Sequence, residues 1–282
     1  MNDILRDRVH TYYATVPLLF AEAEDFGPLR LFVRREPGAP YYGGPGHAQP
    51  TADGAARVGA DDIARVRERQ RELGVPQAFE WLAESAPALR ARIEAAGLEV
   101  LRRPLMALPP DHRPVARPLP EGVTLRTLTA DDPALPTALA LPHLAFAREA
   151  VPVSGPAERA RLSELAATLT ADGTVTAVRH ALRAGHKTLV AALSPDGAPL
   201  ATGHHHPAAG ATEIGGVATL ASARRQGLGA AVTTALAVHA RAHGVDTVFL
   251  AYAKETVARL YAGLGFRPAG TTLLIAGQPA RS

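Results

Sequence analysis

Residues 224–230 read Arg-Arg-Gln-Gly-Leu-Gly-Ala, and this stretch decides how the rest of the chain is interpreted. It follows a short apolar run at 214–220 and opens an alanine-rich helical pattern that ends at Gly244. The first amides of a helix have no acceptor within the helix and carry the positive end of its dipole. Gly227 and Gly229 have no β-carbon, so a phosphate can approach the backbone closely. The stretch therefore predicts an anion site between a strand and a helix.

Length and composition indicate a globular protein of two domains. The chain has 282 residues, of which 47% are hydrophobic and 20% are charged, values typical of a chain that buries a core. No stretch approaches the roughly 20 apolar residues of a membrane span. Residues 1–13 lack the basic and apolar segments of a signal peptide. We expect a cytoplasmic protein without a membrane partner.

Residue usage excludes several kinds of site. There is no cysteine, which rules out disulfides, thiolate zinc sites and cysteine nucleophiles. The net charge is only +3, and the arginines are interleaved with Asp and Glu in both halves. With aromatic residues at 5%, this pattern favours a mixed solvated surface over a nucleic-acid interface. We expect no nucleic-acid partner.

A proline-rich segment divides the chain. Residues 109–122 read PPDHRPVARPLPEG, a composition that favours an extended, polyproline-like linker. We predict an N-terminal domain at 1–108, a linker at 109–121 and a C-terminal domain at 122–282.

The second half alternates strand and helix patterns. The predicted strands are 123–128, 187–193, 199–206, 213–220, 247–251 and the segment from 266, and the predicted helices are 157–169, 174–184, 229–243 and 255–264. Pro195-Asp196-Gly197 is a hairpin signal between two of the strands. Antiparallel strands followed by strand–helix–strand predict a mixed sheet of the α/β class.

The first half ends in a similar pattern. Its predicted elements are a helix at 3–23, a strand at 29–33, a Gly- and Pro-rich loop at 37–54, a helix from 61, a strand at 78–82, a helix before Gly97 and an extended segment to 108. When Gly97 is aligned with Gly265, Ile93 aligns with Tyr261. This correspondence suggests an internal duplication.

The segment from Glu213 to Phe266 resembles the GNAT (GCN5-related) superfamily of acyl-CoA-dependent N-acetyltransferases. The family's signature is Arg or Gln, two residues, Gly, one residue, then Gly or Ala, and residues 224–229 fit it. The second family pattern is Leu-Tyr followed by Gly-Phe, and here it is formed by residues 260–261 and 265–266. The resemblance implies a GNAT-like acyl-CoA N-acyltransferase fold, duplicated if the two halves are related. A dinucleotide fingerprint or a Walker loop fits the glycine stretch less well.

The resemblance also implies roles for individual residues. The amides of Arg224, Arg225, Gln226, Gly227, Leu228, Gly229 and Ala230 would hold the pyrophosphate of acetyl-CoA, and the backbone of Val217, Ala218 and Thr219 would pair with its pantetheine arm. Tyr261 holds the position of the general acid, since a phenol can protonate a departing thiolate. Glu213 holds the position of a carboxylate that deprotonates the amine, directly or through water. The alternatives are a Tyr that only packs on its helix and a solvated Glu at a strand edge.

Three consecutive histidines precede the glycine stretch. In a strand, alternation places His204 and His206 on one face and His205 on the other. The two imidazoles on one face could contact the acceptor or bind a metal, or the segment could be a polar hairpin end. Because no third ligand is evident, we predict no metal site.

The chain also departs from the family pattern. Lys254 stands where many members have Asn, and the first half has Ile93 in place of the Tyr and no glycine loop. We therefore predict a degenerate GNAT-like N-terminal domain and a catalytic C-terminal one. The predicted activity is transfer of an acetyl group from acetyl-CoA to a small-molecule or protein amine, by a monomer or a homodimer. The alternative is a non-catalytic acyl-CoA-binding or interaction module.

Overall fold

A computed structural model describes residues 3–35, 46–115, 118–146 and 155–275 of the chain. Its helices are α1 (Asp3–Thr15), α2 (Ala60–Glu72), α3 (Leu89–Ala95), α4 (Leu135–Phe146), α5 (Pro156–Ala171), α6 (Thr174–Arg183), α7 (Leu228–Ala242) and α8 (Glu255–Ala262). Its strands are β1 (Ala21–Phe26), β2 (Leu29–Arg34), β3 (Gly46–Pro50), β4 (Ala78–Leu82), β5 (Leu101–Leu108), β6 (Thr124–Thr127), β7 (Thr188–Leu193), β8 (Pro199–His205), β9 (Ala211–Thr219), β10 (Thr247–Ala251) and β11 (Arg267–Leu274).

The strands of the described residues form one mixed sheet of eleven strands. Their order is β1-β2-β3-β4-β11-β5-β10-β9-β8-β7-β6. The pairs β3–β4 and β9–β10 are parallel, and each encloses a crossover helix, α2 and α7 respectively. The other pairs are antiparallel. The predicted mixed α/β sheet is confirmed.

The order of elements repeats along the chain. The first half runs β1-β2-β3-α2-β4-α3-β5, and the second runs β7-β8-β9-α7-β10-α8-β11. Gly97 and Gly265 follow α3 and α8 with φ of +80° and +93°, a left-handed conformation that glycine adopts without strain. The repeated order matches the correspondence that the sequence suggested between the two helix ends.

The last strand of each half lies inside the sheet of the other half. β5 separates β10 from β11, and β11 separates β4 from β5. In the central ladder Gly270 pairs with Leu105 and Leu274 with Leu101. One sheet therefore runs across the predicted linker, and each half completes the other.

Two local predictions in the first half were wrong. The predicted helix at 3–23 ends at Thr15, where Pro17 begins a short 3-10 turn, and β1 follows. The predicted loop at 37–54 contains β3, whose residues are all buried; its residues 36–45 lie outside the described part of the chain. In both cases pairing with β2 overrides the local preference of the sequence.

Helices α1 and α7 cover opposite faces of the central strands. Tyr12 and Tyr13 of α1 pack edge-on against Phe249 of β10, with ring centroids 5.2 Å and 5.9 Å apart. On the other face, a β-carbon added to Gly203 of β8 would lie 3.0 Å from side-chain atoms of α7. The two helices thus define an α1 face and an α7 face of the sheet. Within the described ranges, no helix is both long and apolar enough for a membrane span.

Candidate functional site

The glycine turn before α7 leaves the start of that helix uncapped. Gly227 is the N-cap residue with φ of +79°, no side chain caps the helix, and its first turn contains no acidic residue. The first amide to reach an acceptor in the helix is that of Ala231, which donates to the Gly227 carbonyl at 3.0 Å. Arg225 is also left-handed, with φ of +61°. Alternation of left-handed and ordinary conformations makes an anion-binding concavity of amides.

The turn is exposed to solvent, and the segment just before it is held by hydrogen bonds to a buried carboxylate. Arg224, Arg225, Gln226 and Gly227 are exposed. Glu158 in the first turn of α5 is only 3% exposed, and its carboxylate accepts hydrogen bonds from the Ala221 amide at 2.6 Å and the Ser222 hydroxyl at 2.5 Å. Sequence reasoning missed this anchor, and no local signal at Glu158 indicates it. Its role is to hold the segment between β9 and the glycine turn.

Strand β9 carries a bulge next to this turn. Thr202 pairs with Ala218 and His204 with Gly215, so Gly216 and Val217 together face the single residue Gly203. Gly216 has φ of +61°, which a side chain would strain. Val217 and Thr219 point to the α7 face, because both approach the position of a β-carbon on Gly229, at 3.8 Å and 3.5 Å.

Strands β9 and β10 separate beyond the middle of β9. Their parallel ladder, as far as the described residues define it, ends with the pair Ile214 and Leu250. Beyond this point, the backbone of Val217, Ala218 and Thr219 is not paired with β10. Backbone amides and carbonyls need partners, so this edge can receive an extended ligand. The gap lies directly beside the uncapped start of α7.

Tyr261 lies on α8 and is nearly buried. Its side chain is 7% exposed, and its ring centroid lies 6.1 Å from that of Phe266. Burial raises the pKa of the Tyr261 phenol to about 12. The hydroxyl therefore keeps its proton at neutral pH, which is the form that a general acid needs. Lys254, which departs from the family pattern, is the exposed N-cap residue of α8.

Glu213 lies on the α1 face and is buried. It is 6% exposed, and its carboxylate accepts a hydrogen bond from the Tyr13 hydroxyl at 3.1 Å. The same hydroxyl lies 2.9 Å from Oγ1 of Thr272 on β11. Burial and the negative charge of Glu213 raise the pKa of Glu80 well above its usual value. The first half thus supplies the partner and the cover of this carboxylate.

The three consecutive histidines divide between the two faces. Nε2 of His205 lies 3.3 Å from Nδ1 of His239 on α7. On the α1 face, the rings of His204 and His206 are 5.2 Å apart, and the Lys187 ammonium lies 3.2 Å from Nε2 of His206. The alternation predicted from the sequence is confirmed. Within the described residues, no group of three or more His, Cys, Asp or Glu side chains is arranged to hold a metal.

Burial keeps this basic group largely uncharged. It lowers the pKa of Lys187 to about 7. Burial, and then the positive charge of Lys187, hold the pKa of His204 and of His206 well below the usual range. Both imidazoles are therefore neutral at pH 7 and can accept a proton.

Comparisons with protein-family models and with solved structures found matches to this chain. Residues 194–275 match the family model described as FR47-like protein. A solved GCN5-related N-acetyltransferase from Kribbella flavida superposes with a TM-score of 0.68 at 21% identity, covering 100% of this chain and 97% of its own. No curated protein sequence matches the chain.

Two further solved structures share the fold. A tandem GNAT protein from the clavulanic acid biosynthesis pathway, solved without AcCoA, has a TM-score of 0.56 at 20% identity and covers 90% of this chain and 79% of its own. A GCN5-related N-acetyltransferase from Sphaerobacter thermophilus has a TM-score of 0.55 at 21% identity, covering 90% and 84%. The GNAT resemblance and the GNAT-like fold are confirmed.

Proposed function

We propose that the chain is an N-acetyltransferase that transfers the acetyl group of acetyl-CoA to a primary amine, with its active site in the second half. The observation that carries the proposal is the uncapped, exposed start of α7 beside the gap between β9 and β10. An amide concavity and an unpaired strand edge are what a pyrophosphate followed by an extended arm requires. The predicted domains 1–108 and 122–282 are part of this proposal.

The residues of the turn fit the charged part of acetyl-CoA. The amides from Arg225 to Ala230 hold the pyrophosphate, and the exposed guanidinium groups of Arg224 and Arg225 add positive charge. The backbone of Val217, Ala218 and Thr219 pairs with the pantetheine arm. A backbone amide there also polarises the thioester carbonyl, which is a large contribution to acyl transfer.

The amine attacks the thioester directly in a ternary complex. A bond forms between the amine nitrogen and the carbonyl carbon, and the bond from that carbon to sulfur breaks. Tyr261 gives its proton to the departing thiolate, because its buried phenol is protonated at neutral pH. Glu213 supplies negative charge on the α1 face of the sheet. The amine approaches from this face and loses its proton there. No nucleophile of the protein is needed, in keeping with a chain that has no cysteine.

A non-catalytic acyl-CoA-binding module is the second candidate. It is favoured by Lys254 in the place of Asn and by a first half without a glycine turn. The two candidates differ at Tyr261: Tyr261→Phe lowers turnover roughly 100-fold in an enzyme and changes nothing in a binding module.

Acetyl-CoA consumption against a panel of amines tests the proposal. The panel contains polyamines, amino acids, arylamines, aminoglycosides and peptides with free N-termini, and we expect CoA release with one class. Arg225→Glu is expected to weaken acetyl-CoA binding, as measured by calorimetry. Arg57→Glu is the matched control, because Arg57 is exposed in the corresponding loop before α2. Absence of acetyl-CoA binding to the wild-type chain would refute both candidates.

A further inference from the structure

His204 lies against the bulge of β9. A β-carbon on Gly216 would lie 2.6 Å from Cε1 and 2.7 Å from Nδ1 of His204, and one on Gly215 would lie 3.6 Å from Nε2. Contacts below 3.0 Å are not seen for real β-carbons, so the imidazole occupies space that only a glycine leaves free. The ring therefore covers the backbone immediately before Val217.

This position is on the side from which an amine would attack. The start of α7 and the side chain of Val217 belong to the α7 face, where the proposed function holds acetyl-CoA. His204 belongs to the opposite, α1 face, as shown by its contact with His206, whose ring also packs against Phe20. An amine that attacks the thioester from the α1 face approaches the carbonyl on the side of this imidazole. His204 is half-buried rather than enclosed, so the amine can reach it.

Glu213 is less well placed to touch the amine. It lies two positions before Gly215 on β9, which corresponds to about 7 Å along a strand. Its carboxylate is bonded to Tyr13 beneath α1, and its side chain is 6% exposed. A group at this distance and depth is poorly placed for direct proton transfer, because that step needs hydrogen-bond contact.

We propose that the imidazole of His204 accepts the proton of the attacking amine. This inference rests on the proposed acetyl transfer. The amine's lone pair forms the bond to the carbonyl carbon, and its proton passes to a ring nitrogen of His204. The thiolate leaves with the electron pair of the broken bond and takes the proton of Tyr261. The proton on His204 then passes to solvent, and Tyr261 regains a proton from solvent.

The surroundings of His204 suit a group that starts neutral. The titratable groups near it are His206, whose ring is adjacent, and Lys187 and His205, whose positive charges disfavour its protonation. Burial and the charge of Lys187 lower the pKa of His204 well below 6.5, so the ring is free to accept a proton across the neutral range. Because the amine attacks in its neutral form, activity should fall as the pH drops below the pKa of the amine, and protonation of His204 should lower it further below the pKa of His204.

The test is chemical rescue of a truncated side chain. In the full chain, His204→Ala should lower kcat roughly 100-fold with the most active amine of the panel, as expected for the loss of a general base. Added imidazole should restore part of the rate, because the deletion leaves a ring-sized space at the bulge. His204→Gln should show the same loss without rescue. Calorimetry should give an unchanged acetyl-CoA affinity for both variants.

His243→Ala is the matched control, since His243 is exposed at the end of α7. This variant should keep full activity, and added imidazole should not change its rate. If His204→Ala folds, binds acetyl-CoA and keeps kcat with an unchanged pH profile, the assignment of His204 is overturned and the proposed transferase stands. Equal loss without imidazole rescue in His204→Ala would also overturn it. If no amine supports CoA release by the wild-type chain, the proposed function and this inference fall together.

Discussion

Helices α2 and α7 occupy corresponding places in the two halves but begin in opposite ways. The amide of Gly59, before α2, donates to the Asp62 carboxylate at 2.8 Å, and the first turn of α2 holds Asp61 and Asp62. The first turn of α7 holds no acid and no capping side chain. A carboxylate already neutralises the positive end of α2, whereas that of α7 is left for an external anion.

The same division continues at α3 and α8. Ile93 of α3 is fully buried in the core of the first half, whereas the corresponding Tyr261 of α8 carries a hydroxyl. The two halves share their order of elements, and we propose that acid–base chemistry and anion binding take place in the second. A fold of this kind therefore carries function in a few residues at helix ends.

Separate expression of the two halves should have the largest effect on the protein. We expect residues 1–115 and 118–282, expressed singly, to lack a cooperative unfolding transition in circular dichroism. The reason is that β5 lies between β10 and β11, and Leu105 and Met106 of β5 are core residues. Co-expressed fragments should copurify and regain the transition. A second fragment that unfolds cooperatively by itself would show that the exchanged strands are dispensable.

The exchange of Tyr261 for Phe removes the acid but keeps the ring. We expect kcat to fall roughly 100-fold, with unchanged acetyl-CoA affinity, as measured by steady-state kinetics and calorimetry. Ile93→Val at the corresponding position should lower the free energy of unfolding by about 1 kcal/mol and leave kcat unchanged. Full activity in Tyr261→Phe would favour the non-catalytic module.

A carboxylate introduced at the start of α7 should make it resemble α2. Gly229→Asp places a negative charge at the position that corresponds to Asp61, and we expect acetyl-CoA affinity to fall roughly 30-fold, or about 2 kcal/mol, through like-charge repulsion. Gly229→Asn has the same shape without the charge, so it isolates the electrostatic part of the effect. Equal affinities of the two variants would contradict the anion site.

The smallest expected effect concerns the pH dependence of stability. Lys187 precedes β7 where the first half has Phe20 before β1, and its pKa is lowered from 10.5 to about 7. Between pH 7 and pH 10.5, Lys187 binds a proton more readily in the unfolded chain than in the folded one, so the free energy of unfolding rises with pH. The destabilisation by Lys187 is fully removed only above pH 10.5. From pH 7.5 to 8.5, wild type should gain about 1 kcal/mol relative to Lys187→Met in urea unfolding. Parallel pH curves for the two proteins would show that Lys187 is not desolvated.

Local features of the site could be predicted from the sequence. The glycine turn, the start of α7 and the placement of His204 and His206 on one face depend on neighbouring residues and on strand periodicity. The structure has these features where the sequence placed them. Their agreement reflects the short range of the interactions that determine them.

Features that depend on distant parts of the chain could not be predicted. Glu158 meets Ala221 across 63 positions, and Tyr13 meets Glu213 across 200 positions. β1 contains alternating Ala and Glu, which favour a helix by propensity, and it is a strand because β2 pairs with it. The placement of β5 and β11 in each other's sheets depends in the same way on long-range pairing that no local pattern records.

We propose a single acyl-CoA site, located in the second half of the chain. Calorimetric titration of the full chain with acetyl-CoA tests this proposal directly. We expect one acetyl-CoA per chain, with affinity reduced more by Gly229→Asp than by Gly229→Asn. Two molecules per chain, or a wild-type chain that binds none, would contradict it.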